Sequence, residues 1–133
     1  MIEAGKKLVE SSEIAVLNIV AAFWLYFPEA EEWRLVLVSP KIDQDGPRKL
    51  YGQISDILYQ DADKKYEIDL VNITLMSPDE NIVRVIAGVN KMWDLSGKRL
   101  SNSRFAGVFI EDIYIYSVDS SITPLPGSMW FSK

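Results

Sequence analysis

The reactive side chains of this chain are carboxylates, lysines, tyrosines and serines; histidine and cysteine are both absent. That excludes disulfides, cysteine-rich zinc sites, cysteine and Ser–His nucleophiles, and histidine acid–base work. What is left is carboxylate, Lys, Tyr or Ser chemistry, or a hard cation held by oxygen atoms. Glu29, Glu31 and Glu32 crowd one polar breaker after Pro28, which reads as a solvated turn. Asp43 and Asp45 have the alternate spacing of a calcium loop, but no glycine stands at its sixth position and no glutamate closes it. Glu67-Ile68-Asp69 has no lysine after it, and Glu111-Asp112 is followed by Ile-Tyr. Neither completes the acid, acid–x–Lys set of a divalent-metal nuclease. No cofactor is expected.

Glu111-Asp112 is the most pointed pair, because it interrupts an apolar run. Adjacent strand residues face opposite sides, so one carboxylate faces a layer that is otherwise apolar, and a charge there needs a partner. Arg34, Arg48 and Arg104 are the candidates; a bulge or strand end in water is the alternative. Tyr114 and Tyr116 share one face of the same run, as a half-exposed aromatic surface or the rim of the core.

The elements that must position these groups follow from two similar stretches. Trp33 to Pro40 and Val71 to Pro78 are each an aliphatic run that ends in Ser-Pro, then an acidic turn, then a helical pattern. Ile19 to Phe27 and Trp33 to Val38 read as strands joined by a short connection, hence an antiparallel hairpin that is covered on both faces or lies mid-sheet. Leu50, Tyr51, Ile54, Ile57 and Leu58 mark one face of a helix that starts at Asp45-Gly46-Pro47, with Asp45 as its cap. A third strand spans Ile68 to Met76. Ser77-Pro78-Asp79-Glu80 reads as a capping box opening a helix whose buried stripe is Ile82, Val85, Ile86, Val89 and Trp93. Ser96-Gly97 stops it, with Lys98 and Arg99 at the carbonyl end. Phe105 to Tyr116 is the last strand, bulged or broken at Gly107 or Glu111-Asp112. Met1 to Glu10 forms a short first helix, Asp61 to Lys65 a charged loop, and residues 118–133 an irregular C-terminal arm.

The order α-β-β-α-β-α-β predicts one α+β domain (mixed α/β) over residues 1–133, with a mixed four- to five-stranded sheet and packed helices. A helix between the second and third strands makes them parallel. Both Ser-Pro turns then emerge at one carboxyl edge of the sheet, where open α/β sheets hold ligands. Ser39, Arg48, Ser77 and Asp79 are the expected ligand-binding residues there, with two helix amino-termini turned to an anion.

The stretches Ala21 to Pro40, Gly46 to Ile54 and Gly107 to Tyr116 resemble a set of small uncharacterised bacterial proteins. These share an aromatic-rich hairpin, a Gly-Pro-Arg helix start and a closing phenylalanine–acid–tyrosine strand. The resemblance implies a bacterial, cytoplasmic protein and carries no activity with it.

Net charge is −5, with no cluster of Lys and Arg to neutralise phosphates, so no nucleic-acid partner is expected. The run Ile14 to Phe27 is too short to span a bilayer, and Glu3, Glu10 and Glu13 occupy the place where a signal peptide is basic. No membrane partner is expected either. Met129, Trp130 and Phe131 are large apolar residues in the arm that either fold back on their own sheet, the commoner outcome, or dock on a partner; they are expected at or near an interface. Together these features lean away from catalysis. They predict a non-enzymatic interaction or regulatory protein that self-associates, as a homodimer, with a further protein partner possible. The alternative is a small-molecule or anion-binding domain at the carboxyl edge.

Overall fold

A run that is apolar at nearly every position makes a strand with two faces to cover, and the first hairpin is built this way. The computed structural model of the chain describes residues 1–60 and 66–125. In it, β1 (Ala21–Phe27) and β2 (Glu32–Val38) pair antiparallel through a turn in which Glu31 adopts a left-handed φ of 52°. Ala22, Trp24, Leu35 and Leu37 point to one face, here the front; Ala21, Phe23, Leu25, Val36 and Val38 point to the back. All nine are buried.

The front is covered by α1 (Ile2–Val9), a 3-10 turn at Ser12–Leu17, and α3 (Pro47–Tyr59). Leu8, Leu17, Leu50, Ile54 and Leu58 supply their buried contacts. The stripe expected on α3 is the one observed, with Tyr51 and Ile57 on its margin. The back is covered by α4 (Asn81–Met92), through Val83, Ile86, Ala87 and Val89. Trp93, expected in that stripe, is instead 59% exposed. The helix ends at Met92 and Trp93 is extended (φ −138°, ψ 118°), so it leaves the helix face.

The sheet has five strands in the order β3-β2-β1-β5-β4, a mixed sheet in an α+β fold. β3 (Ile73–Met76) lies parallel to β2, with Leu35 opposite Ile73 and Val38 opposite Met76. It is shorter than the expected Ile68 to Met76. Ile68 is buried in the front core outside the ladder, and Leu70–Asn72 closes a 3-10 turn, Asn72 N–H to Asp69 O at 2.9 Å. Between β2 and β3 the chain also forms α2 (Lys41–Asp45) before α3.

The last strand is a hairpin rather than a single run. β4 (Arg99–Phe105) and β5 (Val108–Val118) pair antiparallel, and β5 also pairs with β1. Ala106 (φ 49°) and Gly107 (φ 82°) make the turn between them, the pair of left-handed residues that matches the twist of a tight hairpin. The ladder is interrupted at Asn102 (φ 49°), between the Ser101–Asp112 and Ser103–Ile110 pairs. A second irregularity shifts the β1–β5 register between Ala22 and Phe23. Lys98 and Arg99 therefore do not close a helix. Gly97 N–H and Lys98 O bond to Ile115, and the chain enters β4 directly.

Both expected helix caps are overturned. Asp45 is the last residue of α2, helical itself, and Gly46 (φ 86°, ψ 155°) takes the cap position of α3, with Pro47 at its first turn as expected. Ser77 does not cap α4. Its Oγ accepts the Asp79 N–H at 3.0 Å, Glu80 is extended (ψ 138°), and the helix begins at Asn81. A two-residue Ser turn competes with the capping box for the same hydroxyl, and here it wins.

One close approach holds α1 on the sheet. The Tyr116 hydroxyl accepts the Trp24 Nε1–H at 2.8 Å and donates to the Ile2 carbonyl. A methyl at Gly5 would overlap that hydroxyl and lie 2.6 Å from Trp24 Nε1. In an open helix Gly→Ala gains about 1 kcal/mol; overpacking a tight contact costs ~1–3 kcal/mol. Gly5→Ala is therefore expected to lower stability in urea unfolding. Tyr116→Phe in the same chain should recover part of the loss, because the overlapping oxygen is gone.

Candidate functional site

The carboxyl edge of β2 and β3 gathers some of the expected residues. Ser39 N–H bonds Met76 O at 3.1 Å, which ties the two corners together. Ser39 is buried: its Oγ donates to Leu17 O at 2.6 Å and accepts the Lys41 N–H at 3.1 Å. Ser77 lies nearer the surface and donates to Asp43 Oδ2 at 2.7 Å. Asp43, Ser77, Asp79 and Glu80 line an open depression of about 350 Å³. A smaller one, of about 170 Å³, lies between Val20, Pro40, Pro78 and Ile122. Arg48 is exposed on the first turn of α3, lines neither depression, and has no hydrogen bond or ion pair among the described residues.

The edge thus unites Ser77 and Asp79 above a committed Ser39, without Arg48, and its open depression is lined by carboxylates. Such a lining favours cations over anions. No cluster of carboxylates suited to a metal ion occurs among the described residues. Met129, Trp130 and Phe131 lie outside the described residues.

A second constellation lies on the front face of the sheet. Tyr26 and Trp33 pair across β1 and β2 and meet edge to face, with ring centroids 5.6 Å apart. The Arg99 guanidinium lies 5.6 Å from the centre of the Trp33 ring. Its Nε and Nη2 donate to the two oxygens of Asp112 at 2.9 and 2.6 Å, and the Ser101 hydroxyl adds a third bond at 3.1 Å. The Arg99 bonds hold the Asp112 carboxyl below the usual carboxylate range.

The carboxylate that needed a partner therefore has one, but not among Arg34, Arg48 and Arg104. Arg34 serves Thr74, Glu32 and the Ile73 carbonyl, and Arg104 lies over the Phe109 ring at 5.4 Å. Arg99 was hidden because its strand is polar and follows what reads as a helix end. The signal that could have revealed it was Gly107, a turn residue between the segments Leu100 to Phe105 and Val108 to Ile113.

Around α1 the front face is grooved. Tyr114 and Tyr116 meet at 5.2 Å and, with Ile2, Lys6 and Val9, line a groove of about 450 Å³. On the other flank a cleft of about 260 Å³ lies between Ala4, Trp24, Trp33, Glu67 and Asn72. Burial pushes the Tyr116 phenol up to about 12. A chain of Ser11, Tyr66 and Glu13, each link 2.7 Å, resembles a proton relay. Tyr66 is buried and Ser11 Oγ caps the 3-10 turn by accepting the Glu13 N–H, so this chain is structural.

No helix among the described residues is long and apolar enough to cross a membrane. No protein-family model matches the chain, and no curated protein or solved structure does either. Function therefore rests on these side chains alone.

Two outcomes test this geometry. Ser39→Ala leaves the buried Leu17 carbonyl without its donor and is expected to cost about 1–3 kcal/mol in chemical denaturation. Ser77→Ala, near the surface, should stay within ~0.5 kcal/mol. For Tyr116 the folded-state pKa is raised above the ordinary 10.0. Its stabilising effect is complete below that pH, where the phenol is neutral in both states. It is lost between pH 10.0 and about 12, as the unfolded chain ionises first. The melting temperature should fall across that window, and less steeply in Tyr116→Phe.

Proposed function

We propose that the chain is a non-enzymatic, cytoplasmic interaction protein that self-associates as a homodimer through its β4–β5 hairpin. One observation carries the reading: β4 ends the sheet, with no strand on its outer side among the described residues, and an aromatic–guanidinium surface accompanies that open edge. Phe105, Val108 and Ile110 pack into the back core, so strand alternation turns Arg104 and Phe109 the other way. Phe109 is 50% exposed, with the Arg104 guanidinium over its ring. Aromatic and arginine side chains dominate the binding energy of protein interfaces. Unpaired strand edges are the sheet's ready-made pairing site. Asn102 interrupts the ladder, so the side chains rather than continuous backbone pairing supply the specificity. The cytoplasmic part of the reading rests on a chain of this size with no cysteine to staple it. Met129, Trp130 and Phe131 belong to the same proposal as a second anchor.

Light scattering over a range of protein concentrations tests it. The full chain, 15.1 kDa per copy, is expected to run as a dimer. Phe109→Asp should weaken the association about tenfold or more, the effect of losing an interface anchor. Truncation after Pro126 should weaken it further. A chain that stays monomeric at high concentration, or a dimer indifferent to Phe109→Asp, overturns the hairpin as the contact.

A further inference from the structure

The outer strand of the sheet holds an asparagine that its own backbone can attack. We infer that Asn102-Ser103 is a site of spontaneous deamidation, a modification whose only other reactant is water. The backbone nitrogen of Ser103 attacks Cγ of the Asn102 side chain. A new C–N bond forms as the bond to the side-chain nitrogen breaks. Ammonia leaves with the proton of the Ser103 N–H, and a cyclic imide remains. Water then opens the ring at either carbonyl. One opening leaves aspartate; the other leaves isoaspartate, whose main chain runs through the former side chain and is one carbon longer. Nothing is oxidised or reduced, and either product adds a negative charge to the edge of the sheet.

The sequence singles out this asparagine first. Of the five in the chain, Asn18, Asn72 and Asn81 precede isoleucine and Asn90 precedes lysine. A β-branched side chain on the following residue crowds the attacking nitrogen. Only Asn102 is followed by a side chain as small as serine. The fold then leaves it free to react. Asn90 is held in α4, where its Oδ1 accepts the Leu95 N–H at 2.8 Å. Asn102 is exposed, and its side chain has no hydrogen bond among the described residues. The attack needs rotation about the Cα–C bond of Asn102, which pairing prevents in a regular strand. Here the pairs stop at Ser101–Asp112 and resume at Ser103–Ile110, and Asn102 stands between them with its left-handed φ of 49°. β4 is also the end of the sheet, with no strand on its outer side among the described residues. Segments whose backbone hydrogen bonds face water open locally at low cost. Asn18 is the internal control: it too is exposed and left-handed, at φ 52°, but Ile19 follows it.

The experiment follows each asparagine of the full chain by peptide mass spectrometry during incubation at neutral pH. Asn102 is expected to deamidate at least about tenfold faster than Asn18, a difference of ~1.4 kcal/mol in barrier. Ser103→Val, a replacement suited to a strand, should slow the reaction at Asn102 by about tenfold. The parent needs no variant for the second reading, the product itself. The ring opens both ways, so isoaspartate should accumulate at position 102 beside aspartate. The native rate at Asn102 should also lie within about tenfold of the rate in urea, because the edge strand offers little protection. Asn102 no faster than Asn18, indifference to Ser103→Val, aspartate without isoaspartate, or a native rate further below the rate in urea overturns the inference. Dilute protein is used, so the outcome does not depend on self-association and the two readings fail separately.

Discussion

Everything in this structure answers to the two-sided burial of β1 and β2. Side chains alternate along a strand, so a hairpin apolar at nearly every position cannot rest with one face in water. Phe23, Val36 and Val38 need a back layer as much as Trp24, Leu35 and Leu37 need a front one. Burying each such side chain contributes about 1.5–3 kcal/mol, far more than any surface contact in the molecule. The hairpin therefore takes the middle of the sheet, with β3 on one side and β5 on the other. α4 closes the back, while α1 and α3 divide the front.

The front is covered unevenly, and the grooves follow from that. α1 has only eight residues and comes close to the sheet because Gly5 has no side chain where the Tyr116 hydroxyl and the Trp24 indole meet. Beyond its ends the sheet shows aromatic rings instead of aliphatic core. There the polar requirement of Asp112 is met by Arg99, which also covers part of Trp33. Amphipathic rings and an ion pair suit a surface that is half wet, where aliphatic side chains would lose the benefit of burial.

The two Ser-Pro corners show how one dipeptide takes two roles. Ser39 ends a strand in the middle of the fold, below the Leu17 carbonyl, and its hydroxyl satisfies that buried acceptor. Ser77 ends a short strand at the edge, near water and Asp43, and its hydroxyl turns its own chain instead. Both stretches are eight residues long and end in the same Ser-Pro. The difference is what passes overhead.

Much of the architecture was written locally. The hairpin of β1 and β2, the face of α3, the proline at its first turn, and the parallel pairing of β2 with β3 all follow from apolar periodicity and element order, which act over a few residues. So does the exclusion of histidine and cysteine chemistry, since composition needs no fold. β4 was not legible: Arg99 to Phe105 is polar and exposed at alternate positions, as an edge strand must be, and its pattern resembles a loop. The caps of α3 and α4 are not set locally, because hydroxyl and carboxyl groups choose among several nearby donors, and packing decides which one is within reach. The meeting of Trp33, Arg99 and Asp112 was beyond any local pattern. Those residues lie on three different strands, and only the strand order β2-β1-β5-β4 brings them to one face. Local sequence determined which faces had to be buried, and the tertiary structure decided which polar groups would meet on the face left open.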